Sequence, residues 1–366
     1  MNKDYQTIIV GGGPAGLSTW LFLHQQSPDL AAKTLVIEKE NYPRKKLCGG
    51  GISTPGRYLL SSLNFEFDFD HLPIKHLEIT IEDKSYTVDA PPGFVVVDRA
   101  VFDKALATEA IRRGLVLHQG ESFVGFERDK NSLVVETSKE KYFTKALVAA
   151  DGANSKVRNC LNLNESHRIC RLLETYAIQS TIDEENTDFE TAYFDFSPTK
   201  KYGLQGYTWK FPCILQGKKS FNSGIFDSQI HTKKERTSIK NVLNARFDSE
   251  SILFDKKVQS HPIRYFSKDA TFSVNNILLV GDSVGIEPAL GEGISTSIAY
   301  GKVAANSILE AHQSKNFTFS TYKSSLLSSR LGESLLKQVD WAKSFYANDE
   351  NTLPSLKRYF LGIPFK

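Results

Sequence analysis

The sequence has little of what would place a protein outside the cell or beside a charged polymer. It holds four cysteines in 366 residues. Cys48, Cys160, Cys170 and Cys213 form neither a CxxC pair nor a metal-ligand spacing. That argues against a disulfide-stapled scaffold and a zinc module, and no metal site is expected. The thiols read as reduced, in a cytoplasmic protein. Excess charge is also scarce, since 45 basic and 42 acidic residues leave a net +3. Basic runs are short, Arg44-Lys45-Lys46 and Lys233-Lys234, so no nucleic-acid partner is expected. No apolar run reaches the length that crosses a bilayer. A leader peptide is not expected, because an apolar strand begins within a few residues of Met1. Internal repeats and low-complexity linkers are missing too. The basic and aromatic tail, residues 357–366, reads as a docked end rather than a lipid anchor. Peripheral contact with a membrane surface stays open, and nothing indicates an oligomeric state.

What the sequence does contain is concentrated at its start. Residues 7–16, TIIVGGGPAG, form an apolar strand that runs into Gly11-x-Gly13-x-x-Gly16, with helix-like residues directly behind. Gly11 suits the tight turn, Gly13 the approach of a pyrophosphate, and Gly16 close helix–strand packing. Pro14 and Ala15 open the helix, whose N-terminus presents free N–H groups to phosphate. A second apolar strand ends in Glu38, followed by Lys39. An acid about twenty residues past the glycines is placed for a ribose hydroxyl. The whole βαβ unit predicts a dinucleotide site.

The chain length allows two domains. The nucleotide-binding pieces are scattered, so the expected domains are discontinuous. Residues 1–60, 96–164 and 266–310 are assigned to a doubly wound α/β domain. Residues 61–95 and 165–265, rich in strand periodicity and aromatics, are assigned to an inserted antiparallel cap that binds substrate. Residues 311–366 read as a helical C-terminal segment. Residues 97–113 carry helical spacing with Asp98 at the N-cap. Apolar strands are expected to end at Asp151-Gly152 and at Gly281-Asp282.

Four blocks carry a family resemblance. They are the glycine motif, Asp98-Arg99-x-x-Phe102-Asp103, residues 150–158 (ADGANSKVR), and Asp282 with Gly291-Glu-Gly293-Ile294. Together they resemble the FAD-dependent enzymes of glutathione-reductase-type fold, in the aromatic-hydroxylase branch. The resemblance implies FAD as cofactor. It carries Arg99, Val124, Asp151, Gly152, Asp282, Gly293 and Ile294 into the cofactor contacts.

Two further segments narrow the branch. Residues 43–52, PRKKLCGGGI, and 206–212, GYTWKFP, resemble the geranylgeranyl reductase family. That resemblance implies Cys48, Gly49 and Gly51 beside the flavin, and Tyr207, Trp209, Phe211 and Pro212 walling a prenyl channel. It also places Cys48, Tyr207 and Trp209 among the candidate catalytic residues. Two positions depart from the family pattern. Leu204 replaces a proline, and Asn222-Ser-Gly224 lacks one glycine. On periodicity alone, a Tyr-x-Trp alternation reads as core.

The resemblance implies a reductase that passes a hydride from reduced flavin to an isoprenoid double bond. NADPH or another external donor would reduce the flavin, because no second nucleotide motif is present. The proton donor is open between Cys48, Tyr207 and a water. Two alternatives stand: a flavin monooxygenase or halogenase acting on an aromatic substrate, and a flavin-binding protein without turnover.

Overall fold

A computed structural model describes residues 3–82, 84–163, 165, 168–248, 250, 252–255, 257–347 and 355–356. The tail singled out above, 357–366, lies outside the described residues.

Five strands lie parallel in the order Ile277–Leu279, Lys141–Ala149, Lys3–Val10, Thr34–Ile37 and Val116–His118. Ile8–Val10, Leu35–Ile37, 146–149 and Ile277–Leu279 are apolar without alternation because both faces of the sheet are covered there. Ile8, Ile9, Leu35, Val36, Leu147, Val148 and Leu278 are fully buried. The helices Pro14–Gln26 and Ile294–Ser314 pack on each other and share this core. The first turn needs its glycines. Gly11 has φ +108°, and a Cβ on Gly16 would fall 1.9 Å from the Gly11 carbonyl oxygen. The helix expected after Asp98 is Arg99–Arg112, and Asp98 accepts the Ala100 N–H at 2.8 Å.

A second sheet runs Gln259–Ser260, Ile169–Tyr176, Lys218–Asp227, Gly206–Leu215, Thr191–Asp195, His76–Ile81 and Lys84–Asp89. It is antiparallel with one exception. Thr191–Asp195 pairs parallel to His76–Ile81. The long excursion of the chain through the first sheet supplies the crossover that a parallel pair needs. The inserted region is also not strand alone. Ile239–Phe247 is a helix that buries Ile239, Val242, Leu243 and Phe247 against Phe221 and Ile225. The i, i+3, i+4, i+8 spacing of those four residues is helical. A three-stranded sheet of Gly51–Ile52, Val95–Val97 and His71–Pro73 lies between the two large ones in sequence. Two further helices, Tyr322–Leu327 and Arg330–Ala347, follow the long helix Ile294–Ser314.

The carboxyl ends of the parallel strands bring Gly11, Glu38, Asp151 and Asp282 to one edge, where ligands of such sheets bind. Tyr207, Trp209 and Phe211, on one face of the second sheet, look onto the same space.

Candidate active site

A single cavity of about 1330 Å³ runs along this edge and into the second sheet. That exceeds the usual range for one small ligand, roughly 300–1,000 Å³.

The nucleotide end is built from strand termini. Glu38 accepts the Gly12 N–H at 2.8 Å and the Glu40 N–H at 3.0 Å, which fixes its carboxylate beside the glycine turn. Gly13 lines the cavity, and a Cβ there would stand 3.4 Å from the Arg44 guanidinium. Asp151 accepts the Val157 N–H at 3.1 Å through one oxygen. Its other oxygen is buried with no partner among the described residues, and burial pushes the carboxyl pKa up.

Past Asp282 the chain makes a tight turn before the helix Ile294–Ser314. Glu287 organises that turn from inside. It accepts the N–H groups of Ala289 at 2.7 Å, Leu290 at 3.0 Å and Glu292 at 2.6 Å. From outside, Tyr207 donates to the Leu290 carbonyl and Tyr346 to that of Ala289, both at 2.7 Å. The helix N-terminus at Gly293 and Ile294 therefore faces the cavity on a rigid support, and its dipole favours negative charge there.

The segment 42–51 crosses from the nucleotide end to the aromatic end. Tyr42 donates to the Gly12 carbonyl. Arg44 pairs with Asp103 at 2.9 Å, and Asp103 also holds Arg99 through two bonds of 2.8 and 2.9 Å. Lys46 reaches His261, with 3.3 Å between Nζ and Nδ1. Burial first, then Arg99, brings the Lys46 pKa down to about 8. Burial and the Lys46 charge hold His261 down to about 3, so a neutral imidazole faces a charged ammonium. Cys48 lines the cavity and is half-buried.

The far end is aromatic. Tyr207, Trp209 and Phe211 follow one another along the strand Gly206–Leu215, and Phe194 packs on Tyr207 and Phe211 at 5.5 and 4.9 Å between ring centres. Trp209 donates to Asn222 Oδ1 at 2.6 Å. Its ring lies over Gly224, where a Cβ would come within 2.3 Å of the indole. Gly49 rests on the other side, 3.2 Å by the same measure from Phe211 and 3.4 Å from the Trp209 nitrogen.

Nearly all the residues picked from sequence meet in this cavity: Gly11, Gly13, Pro14, Ala15, Glu38, Lys39, Cys48, Gly49, Gly51, Arg99, Asp151, Gly152, Tyr207, Trp209, Phe211, Asp282, Gly293 and Ile294. Gly16, Val124 and Pro212 do not line it. Gly16 acts from beneath, by letting the helix approach the turn. Val124 turns outward and is 52 % exposed. Pro212 falls on the other face of its strand, by the alternation that points Tyr207, Trp209 and Phe211 inward.

Sequence reading missed several members. Glu174, fully buried, accepts the Cys48 N–H at 3.0 Å. His261 and Glu287 carry no local motif. Ser334, Lys337, Gln338 and Trp341 of the helix Arg330–Ala347 also line the cavity. Their i, i+3, i+4, i+7 spacing shows one helical face, but not what that face covers.

Residues 4–324 match the FAD binding domain family, FAD_binding_3. The chain belongs to this family. It is an FAD-dependent oxidoreductase related to the geranylgeranyl reductases. Among its relatives is digeranylgeranylglycerophospholipid reductase 3 of Methanosphaera stadtmanae, 23 % identical over 96 % of this chain and 89 % of that one. Another is geranylgeranyl diphosphate reductase of Rhodobacter capsulatus, 28 % identical over 83 % of this chain and 75 % of the relative. In fold it is similar to a geranylgeranyl bacteriochlorophyll reductase-like protein from Thermoplasma acidophilum. The TM-score is 0.76 at 20 % identity, covering 99 % of this chain and 98 % of that one. The residues present fit FAD. Gly13 leaves room for a pyrophosphate, Glu38 lines the cavity at the end of the second parallel strand, and the Asp151 oxygen without a partner among the described residues suits a ligand hydroxyl. Among the described residues no helix is long and apolar enough to cross a membrane.

Proposed function

We propose that this oxidoreductase saturates carbon–carbon double bonds of an isoprenoid chain of the geranylgeranyl type. The observation that carries the reading is the lining beyond the cofactor-binding residues. Leu77, Phe94, Leu172, Phe194, Phe226 and Ile263 join Tyr207, Trp209 and Phe211 there. Such a wall offers an alkene chain apolar contact and few competing polar groups. The names of the relatives from Methanosphaera stadtmanae and Rhodobacter capsulatus support the same chemistry.

Bound FAD, once reduced, supplies the hydride for one alkene carbon. An external donor, NADPH or another reductant, recharges it. The protein's share is to hold the double bond in a dry site, since an isolated alkene accepts hydride poorly. A proton must reach the second carbon. The Tyr207 hydroxyl is engaged with Leu290 at 2.7 Å and the Trp209 N–H with Asn222 at 2.6 Å. Cys48 lines the cavity, its sulfur accepting the Gly50 N–H at 3.4 Å, and its S–H is the acid we assign. Arg99, Lys46 and the helix N-terminus at Ile294 favour the negative charge of the reduced cofactor. A lipid substrate would bring the protein into transient contact with a membrane surface.

The test is anaerobic. The flavin is reduced, geranylgeranyl diphosphate is added, and reoxidation is followed with mass analysis of the product. A gain of two hydrogens per bond supports the reading. Flavin that stays reduced with every prenyl acceptor tried, and then oxygenates or halogenates an aromatic compound in air, replaces it. Flavin that no substrate reoxidises points to a binding protein without turnover.

A further inference from the structure

The chain from Arg44 to Cys48 is a wall with two sides. Arg44, Lys46 and Cys48 line the large cavity. Lys45 lines a second cavity of about 450 Å³, and Leu47 reaches both. With open space on either side, the position of this segment depends on what grips it. Arg44 is tied to Asp103 and Lys46 to His261. Gly49 rests on Trp209 and Phe211. Beside the Val97 N–H on the Gly50 carbonyl at 3.0 Å, a further grip is the Glu174 carboxyl on the Cys48 amide, also at 3.0 Å.

Strand register makes the grips on Gly49 and on the Cys48 amide one device. Glu174 pairs with Gly224, and Gly224 pairs with Trp209, so the three stand in one row across the second sheet. The missing side chain at Gly224 lets the indole lie down in that row. Neighbouring residues Cys48 and Gly49 are thus held by the two ends of a single row. A carboxyl group is an unusual choice for this place. It is 0 % exposed, and among the described residues Oε2 has no hydrogen-bond partner. An amide would accept the Cys48 N–H without bringing a titratable group into the interior.

We infer that Glu174 is a positioning residue, whose ionised carboxylate clamps the Cys48 amide and whose protonation loosens the Cys48–Gly50 turn beside the flavin. An ionised acceptor makes the stronger bond to an N–H. Burial pushes this carboxyl up to about 7, against the Cys48 N–H and the charges of Lys46, Arg99 and Lys45. The other titratable groups coupled to it are Tyr176 on the same strand and Cys213 on the aromatic strand. The clamp is therefore tight above neutral pH and slack below it. The inference rests on the FAD site and not on which double bond is reduced.

Hydrogen exchange reads the clamp without any substrate. The FAD-loaded protein is exchanged between about pH 5.5 and 8.5, corrected for intrinsic rates, and peptides spanning residues 44–51 are followed by mass spectrometry. Protection of this segment is expected to rise about tenfold through one titration near neutrality. In Glu174→Gln the segment should be protected to the same degree at every pH. In Glu174→Ala protection should fall about tenfold throughout, with the strand Lys3–Val10 unchanged as the folding control. A titration that survives in Glu174→Gln would belong to another group, such as Lys46, and overturn the inference. Wild-type protection in Glu174→Ala would overturn it as well. Neither reading depends on finding a prenyl acceptor.

Discussion

At the scale of single residues, the site is made by positions where a side chain is forbidden or a partner is compulsory. Gly13→Val places a branched side chain at the Arg44 guanidinium, in the space a pyrophosphate needs. The variant should fold and lose FAD, read as flavin absorbance retained after gel filtration. Glu287→Ala leaves the N–H groups of Ala289, Leu290 and Glu292 buried without an acceptor. A loss of about 3 kcal/mol or more is expected in urea unfolding, together with weaker FAD retention. Some of these positions were legible in the sequence. Gly11, Gly13, Asp151 and Asp282 each sit at the end of an apolar strand, and their role follows from the few residues around them. Glu174, His261 and Glu287 were not legible. Glu174 is defined by pairing with Gly224 and by an amide 126 positions away, and His261 by a lysine 215 positions away. No local pattern records a partner at that separation.

At the scale of elements, the strand Gly206–Leu215 decides whether the aromatic segment is core or channel, and it is both. Tyr207 and Trp209 are buried, with Trp209 3 % exposed, yet their rings form the wall of the cavity. Periodicity alone could separate Pro212 from the inward residues but could not say what they face. Trp209→Ala removes a ring that touches Gly224, Asn222 and Gly49. It should cost about 3–5 kcal/mol of stability. FAD should remain bound while turnover of a prenyl acceptor collapses, as measured by flavin content against product formed. Intact turnover would make Trp209 a packing residue only. The parallel strands were readable because their doubly covered stretches, such as Ile8–Val10, 146–149 and Ile277–Leu279, are apolar without a break. The parallel pair inside the second sheet was not, since strand direction leaves no mark on side-chain alternation.

For the whole molecule, buried titratable groups tie stability to pH. His261 is held down to about 3 in the folded state, against an ordinary value of about 6.5. The unfolded chain therefore binds more protons between those values, and this group's contribution is lost as pH falls below about 6.5. Glu174, raised to about 7, acts in the opposite sense: it loses stability as pH rises from about 4.5 to 7. His261→Gln should flatten the acid side of a melting-temperature profile by an amount worth a few kcal/mol at most. Glu174→Gln should raise stability at pH 8 relative to pH 5.

The order of the parallel sheet has one more consequence, and it concerns time. The central strand, Lys3–Val10, leaves a ribosome first, its neighbour Lys141–Ala149 much later, and Ile277–Leu279 later still. Glu38 and Asp282 therefore meet only after the strand Ile277–Leu279 has been made. Until then the nascent protein carries an unpaired apolar sheet edge, which is the surface that chaperones recognise and aggregates exploit. FAD can tighten only the closed form, so its supply during synthesis should govern how much chain escapes that fate.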